Sequence, residues 1–226
     1  GEGEMAVVGI SYEEAERWLL PWSDELAIGV HNSPQAVVFS GSPTAVQAMI
    51  DRAERESIFA RKVKIKLASH SPQTEVLRDD LLDGLAHISP KTSTIPVFST
   101  VNAAYIEDTS SCTAQYWFRN LREPVRFASS LRSLAEEQTA VFIEISPHPV
   151  LCSAMSGMFK QGRLKSSCVP SMRRDQDAKD VLFQSLAHLY GQGCNPEWSR
   201  IIQEGALTTL PSYPFQRKRY WLNSAS

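Results

Sequence analysis

The first 66 residues run through six elements in an order that few folds accommodate. "MAVVGI" is rich in β-branched residues and predicts a strand. "SYEEAERWLL" predicts a helix with Ser11 as its N-cap and Glu14 three positions on, the pattern of a capping box. "ELAIGVHN" and "QAVVFSG" read as two strands joined by a tight "SP" turn. "SPTAVQAMIDRAERES" is a helix with Ser42 as N-cap and Pro43 at its first position, where the missing N–H costs nothing. "FARKVKIKL" alternates and closes the set as a fourth strand. The order β-α-β-β-α-β is that of a ferredoxin-like unit over residues 1–66.

The remainder has a different rhythm. "SPQTEVLRDDLLDGLAHI" is amphipathic and predicts a helix, and "IPVFSTV" a buried-type strand. "AQYWFRNLREPVRF" leads into the helix "ASSLRSLAEEQ", followed by the strand "AVFIEISP". A helix is expected after the prolines of "HPVLCSAMSGMFKQ", and a longer one over "AKDVLFQSLAHLYGQG", closed by a glycine. Strands alternating with helices over 67–194 favour an α/β layer arrangement. From about Asn195 the chain is rich in prolines and aromatics and reads as extended.

Charge and composition exclude several function classes. A formal net charge of −2 with scattered Lys and Arg argues against a nucleic-acid binder. No apolar run approaches the roughly 18 residues that span a bilayer, and "GEGEMAVV" lacks the layout of a signal peptide. A cytoplasmic location is expected. Cys112, Cys152, Cys168 and Cys194 are widely spaced without a CxxC pair, so the expectation is free thiols, with no disulfide framework and no metal site.

Six segments, in register along nearly the whole chain, resemble one family: the acyltransferase domain of modular type I polyketide synthases. They are "VHNSPQAVVFSG", "ASHSPQTE", "YWFRNLREPVRF", "FIEISPHPVL", "SMRRD" and "LPSYPFQRKRYWL". The resemblance implies a small ferredoxin-like subdomain over 1–66, inserted into an α/β-hydrolase-like subdomain whose C-terminal part is 67–194. Residues 195–226 then correspond to the linker that follows the acyltransferase. It also implies the chemistry: an acyl unit, malonyl or methylmalonyl, passes from coenzyme A through an acyl-serine to the phosphopantetheine thiol of an acyl carrier protein. No permanently bound cofactor is implied. The implied partners are the carrier protein, an adjacent ketosynthase with its linkers, and the N-terminal half of the acyltransferase.

By this resemblance His70 is the general base. A serine hydroxyl is a weak nucleophile at neutral pH and needs an imidazole to take its proton. The family orients that imidazole with a backbone carbonyl, and counting back from Pro124 assigns the carbonyl to Asn120. The nucleophile belongs to a Gly-His-Ser-x-Gly turn, yet no Gly-x-Ser-x-Gly occurs in the 226 residues. The expectation is a base whose serine lies outside this chain.

Leu67, Ala68 and Ser69 precede the base at positions that help set extender choice in the family. A serine at 69 leaves room for an α-methyl, which favours methylmalonyl, although a methyl is worth only about 1–3 kcal/mol. Leu67 departs from the tyrosine of the methylmalonyl pattern. His31 and Asn32 fall on a strand end that faces the cleft in the family, which implies a place beside the substrate. His148 reads as structural, and His87 and His188 fall in predicted helices without partners for chemistry. Two other readings compete: a non-catalytic docking or scaffold piece of a synthase, and an α/β-hydrolase-type thioesterase. The latter would place its histidine late in the chain and would not carry "YPFQRKRYW".

Overall fold

The computed structural model describes residues 3–202, 205–206 and 208–220. The N-terminal part is a four-stranded antiparallel sheet with two helices on one face. Its strands are β1 (Glu4–Val8), β2 (Leu26–Ser33), β3 (Ala36–Gly41) and β4 (Ala60–Lys62), in spatial order β2-β3-β1-β4. Helix α1 (Tyr12–Leu19) joins β1 to β2, and α2 (Pro43–Arg55) joins β3 to β4. Period-two alternation sends Ala6, Val8, Leu26, Ile28, Val37 and Phe39 to the helical face. There they meet Ala15 and Trp18 of α1 and Val46, Met49 and Ala53 of α2, all buried.

Local chemistry explains where the helices start. The Ser11 hydroxyl accepts from Glu14 N at 3.2 Å, and the Ser42 hydroxyl accepts from Ala45 N at 3.2 Å with Pro43 following. The Glu13 carboxyl, in the first turn, is held below its usual pKa by its own backbone N–H and, next, by the Ser11 hydroxyl. The fourth strand is shorter than "FARKVKIKL" suggests, since only Ala60–Lys62 pairs with β1. Beyond Val63, whose N–H still reaches Met5 O, the chain leaves the edge and crosses the second face of the sheet. Gly3 permits that crossing: a β-carbon there would lie 2.5 Å from Ala68 Cβ.

The second part departs further from expectation. The segment 72–84 is a 3-10 helix (Pro72–Leu77) running into a short helix, α3 (Arg78–Gly84), and His87 lies just past its end. The expected strand "IPVFSTV" reduces to β5 (Phe98–Ser99), paired only with β6 (Ala104–Tyr105). Pro96 lacks the N–H a longer ladder would need, and Ile95 is exposed rather than buried. "AQYWFRNLR" forms a helix of its own, α4 (Ala114–Arg122), before α5 (Phe127–Glu137). Then β7 (Val141–Glu144), α6 (Cys152–Gln161) and β8 (Ser167–Pro170) make a β-α-β unit with β7 and β8 parallel. A second core of Ala128, Leu131, Met155, Met158 and Phe159 joins α5 to α6. Helix α7 (Ala178–Gly191) is capped by Asp177, whose carboxylate accepts from Lys179 N and Asp180 N. After Asn195 the described residues hold one 3-10 turn, Trp198–Arg200; Trp221 and Leu222 of the aromatic tail lie outside the described residues.

Glu144, at the end of β7, caps the start of α6. Its two carboxylate oxygens accept from Val150 N, Leu151 N and Cys152 N at 2.8–3.2 Å. Burial pulls its pKa up, but these N–H donors outweigh it and hold the carboxyl below the usual range. A depressed folded-state pKa gives stability that is present above the unfolded value and lost as pH falls through the folded one. Glu144→Gln should therefore lose about 1–3 kcal/mol at neutral pH. The deficit should shrink below pH 4.5, which denaturant titrations at several pH values will read.

Candidate active site

His70 sits where the crossing chain meets the C-terminal end of α4. An α-helix leaves its last carbonyls without intrahelical partners, and here they are turned to this histidine. The Arg119 carbonyl accepts from Glu123 N at 2.7 Å. The Asn120 carbonyl would normally accept from residue 124, but Pro124 has no N–H to offer. The Leu121 carbonyl takes His70 N at 2.8 Å, because Val125 N is diverted to Gly29 O at 2.8 Å. The Glu123 carbonyl lies 2.9 Å from His70 Nδ1.

The carbonyl within hydrogen-bond reach of the ring is thus Glu123's, three residues beyond the expected Asn120. The physical reason is the helix end: α4 persists to Arg122, so Asn120 still belongs to the helix. Glu123 is the first extended residue, with φ −80° and ψ 156°, which swings its carbonyl sideways to the ring. The Asn120 carbonyl, after that of Glu123, also favours the protonated imidazole.

This geometry sets the tautomer. A carbonyl oxygen only accepts, so Nδ1 carries the proton and the lone pair of the neutral ring is on Nε2. Burial pushes the His70 pKa below the ordinary 6.5, partly offset by the Glu123 and Asn120 carbonyls. The ring is therefore neutral at pH 7 and able to take a proton at Nε2. Its backbone has φ +59°, in the left-handed region. A non-glycine residue held there signals a local cost of about 1–3 kcal/mol that the surrounding bonds sustain.

Those bonds involve residues to which the sequence reading gave no role of their own. Ser40, fully buried on β3, donates its hydroxyl to Ser69 O at 2.5 Å. Ser71, fully buried, donates to Ala68 O at 2.8 Å and caps the 3-10 helix through Gln73 N. Thr74, buried, donates back to Ser71 O at 2.8 Å. Arg122 pairs with Glu75 at 2.9 Å, joining the end of α4 to the segment after His70. Gly29, at a β-bulge in β2, faces the histidine: a β-carbon there would sit 3.4 Å from His70 Cβ and 3.1 Å from Ser40 Cβ. The buried serines were not separable from surface serines by sequence pattern. Gly29, a lone glycine inside a strand, was a readable sign of close approach.

The other expected site residues fall around this centre unevenly. Ser69 is half-buried beside His70, Ala68 is buried against Gly3, and Leu67 is 41% exposed. His31 donates its backbone N–H to Val125 O at 3.0 Å, and its ring lies 5.1 Å from that of Tyr12. It lines a hollow with Pro124, Arg126 and Ser129 that does not include His70. Asn32 follows it, half-buried, where a second irregularity shifts the β2–β3 register. His148 accepts from Arg174 N at 3.2 Å, and His188 lies 2.9 Å from the Ser167 hydroxyl, both away from His70.

Comparison with known proteins agrees in sequence and in fold. The model of the acyl transferase domain family matches residues 1–193. Polyketide synthase GfsA of Streptomyces halstedii is 38% identical over 226 residues, covering 98% of this chain and 3% of that protein. Erythronolide synthase EryA2 of Saccharopolyspora erythraea is 38% identical over 228 residues, covering all of this chain and 6% of that one. Among solved structures, the acyltransferase domain from module 8 of the salinomycin polyketide synthase superposes with a TM-score of 0.84 at 31% identity. The match covers 88% of this chain and 47% of that domain chain. The chain thus spans a small fraction of its large relatives and about half of that solved domain.

Glycine contacts yield a direct test of the packing around His70. Gly29→Ala should lower stability by about 1–3 kcal/mol, because the neighbouring backbone and buried Ser40 must move. Gly84→Ala, in α3 with nothing within 4 Å, should instead be neutral or stabilising by up to ~1 kcal/mol. Unfolding midpoints of the two variants will separate these effects.

Proposed function

The chain belongs to the acyl transferase domain family, and on that premise we propose that it carries the general base of an acyl transfer in polyketide assembly. The observation that carries the reading is the neutral, Nδ1-anchored His70 on the carbonyls that close α4. The reading supplies the other parts as follows. A serine hydroxyl from outside these 226 residues attacks the thioester carbonyl of an acyl-CoA. His70 Nε2 takes the serine proton as the bond forms and delivers it to the departing coenzyme A thiolate, leaving an acyl-serine. In the second half, Nε2 takes the proton of the carrier protein's phosphopantetheine thiol, that sulfur attacks the acyl-serine, and the serine oxygen recovers the proton. At each stage the imidazolium is steadied by the Glu123 carbonyl, with Asn120 behind it; this arrangement uses no carboxylate.

Several features support the finer points of this reading. Residues 1–66 have the element order and strand order of a ferredoxin-like unit, matching the small subdomain. The parallel pair β7–β8 would be the end of a larger α/β-hydrolase-like sheet: Ile143, Ile145 and Val150 around it are half-exposed to largely exposed. Parallel sheets are ordinarily covered on both faces, and the N-terminal half of the acyltransferase would cover this one. The exposed Tyr213, Phe215 and Tyr220 suit a linker that lies against neighbouring ketosynthase and linker regions. Ser69 beside the base favours methylmalonyl over malonyl through the room it leaves, with Leu67 and Ala68 flanking it. His31 and Asn32 would border the acyl or pantetheine path.

In the complete acyltransferase, incubation with methylmalonyl-CoA should add one acyl group by intact mass, and His70→Ala should slow loading by about 10²–10⁴-fold. Equal loading by that variant would remove His70 from the role of base. The acid limb of the loading rate should fall below pH 6.5, since the active form is the neutral ring and burial depresses its pKa. Asn120→Ala, which keeps the backbone carbonyl, should stay close to the parent rate. Pro124→Ala, which restores a helical N–H partner to that carbonyl, should slow loading by roughly 10-fold.

A further inference from the structure

Cys152 opens α6 and Cys168 lies in β8, and their sulfur atoms approach to 2.7 Å. That is well inside van der Waals contact for two sulfurs. Both side chains are half-buried and both cysteines are reduced, whereas Cys112 and Cys194 lie elsewhere without a thiol partner among the described residues. The framework that brings the pair together is stiff. Phe142 of β7 stacks on Phe159 of α6 at 5.5 Å, β7 and β8 pair over four residues, and Glu144 caps α6 at the turn that carries Cys152.

Donor atoms of Glu144, Cys152 and Cys168 all lie within 4.8 Å of one another, so a metal centre is the first alternative to weigh. Two observations count against it. Thiolates sharing a tetrahedral ion, each about 2.3 Å from the metal, sit at separate corners and further apart than 2.7 Å. Both Glu144 oxygens are also engaged by the backbone N–H groups of α6.

We propose that Cys152 and Cys168 are a reversible dithiol–disulfide pair that small disulfide oxidants of the glutathione class close. One thiolate attacks the oxidant's disulfide, forming a mixed disulfide and releasing one glutathione thiolate. The second protein thiolate then attacks the protein sulfur of that mixed disulfide and expels the other glutathione. Both protein sulfurs are oxidised, one glutathione disulfide is reduced to two thiols, and the two protein thiol protons balance the two glutathione thiols formed. Burial, with the Glu144 carboxylate nearby, pushes both thiols up in pKa. The thiolate is therefore scarce at neutral pH, and the bridge closes under sustained oxidation rather than on brief exposure. Once closed, it ties the first residue of α6 to β8 across a 16-residue separation.

The test is peptide mapping of the full chain after exposure to glutathione disulfide under native conditions. The expected product has lost about 2 Da and contains a linked Cys152–Cys168 peptide. Dithiothreitol reverses it, and Cys168→Ser, a near-isosteric change at a half-buried position beside the second core, abolishes it. The oxidised chain should also unfold several degrees higher than the reduced one, since the unfolded state is constrained by the closed loop. Stable glutathione adducts on Cys152 or Cys168 without the link, or indiscriminate links to Cys112 and Cys194, would overturn the proposal. Stoichiometric zinc retained on desalting and blocking the link would overturn it in favour of a metal centre.

Discussion

Pro124 removes one N–H from the chain, and the geometry around His70 follows from that omission. Without it the last turn of α4 could close on itself, and its carbonyls would be spent within the helix. With it, α4 stops at Arg122, Glu123 turns extended, and the Leu121 and Glu123 carbonyls bond His70 through its backbone and its ring. A backbone acceptor fixes the tautomer and favours the imidazolium without placing a full negative charge beside the ring. Burial favours the neutral histidine, while the Glu123 and Asn120 carbonyls favour the protonated one.

The helix end is itself held in place by the N-terminal sheet. Val125 N bonds Gly29 O and Val125 O accepts from His31 N, which makes a short parallel bridge on the edge of β2. The segment carrying His70 crosses the face of the same sheet, pinned by Ser40 to the Ser69 carbonyl and accommodated by Gly29 and Gly3. The sheet is thus a platform on which two segments 53 residues apart are brought to hydrogen-bond distance. The left-handed backbone at His70 persists because these contacts over-determine it.

What was legible in the sequence follows the range of the forces involved. Ser11, Ser42 and Pro43 act on residues within one turn, so the starts of α1 and α2 could be read directly. The alternation of β1 to β3 is equally local, because one face had to meet α1 and α2. The shortening of β4, the reduction of "IPVFSTV" to two paired residues and the identity of the orienting carbonyl depend on where the chain leaves an edge or a helix. Tertiary contacts decide those points. Helix α4 was hidden in a segment whose only fully buried residue is Phe118, and β8 in a short run of small residues. Cys152 and Cys168 looked unrelated at a separation of 16 until β7, α6 and β8 brought them together.

The account stands on a neutral His70 whose proton is on Nδ1. Long-range ¹H–¹⁵N correlation spectra of the imidazole, recorded on the folded acyltransferase across a pH titration, observe both properties directly. The account predicts the Nδ1–H tautomer at neutral pH and a pKa below 6.5. A ring protonated at Nε2 when neutral, or one still an imidazolium well above pH 6.5, would contradict it.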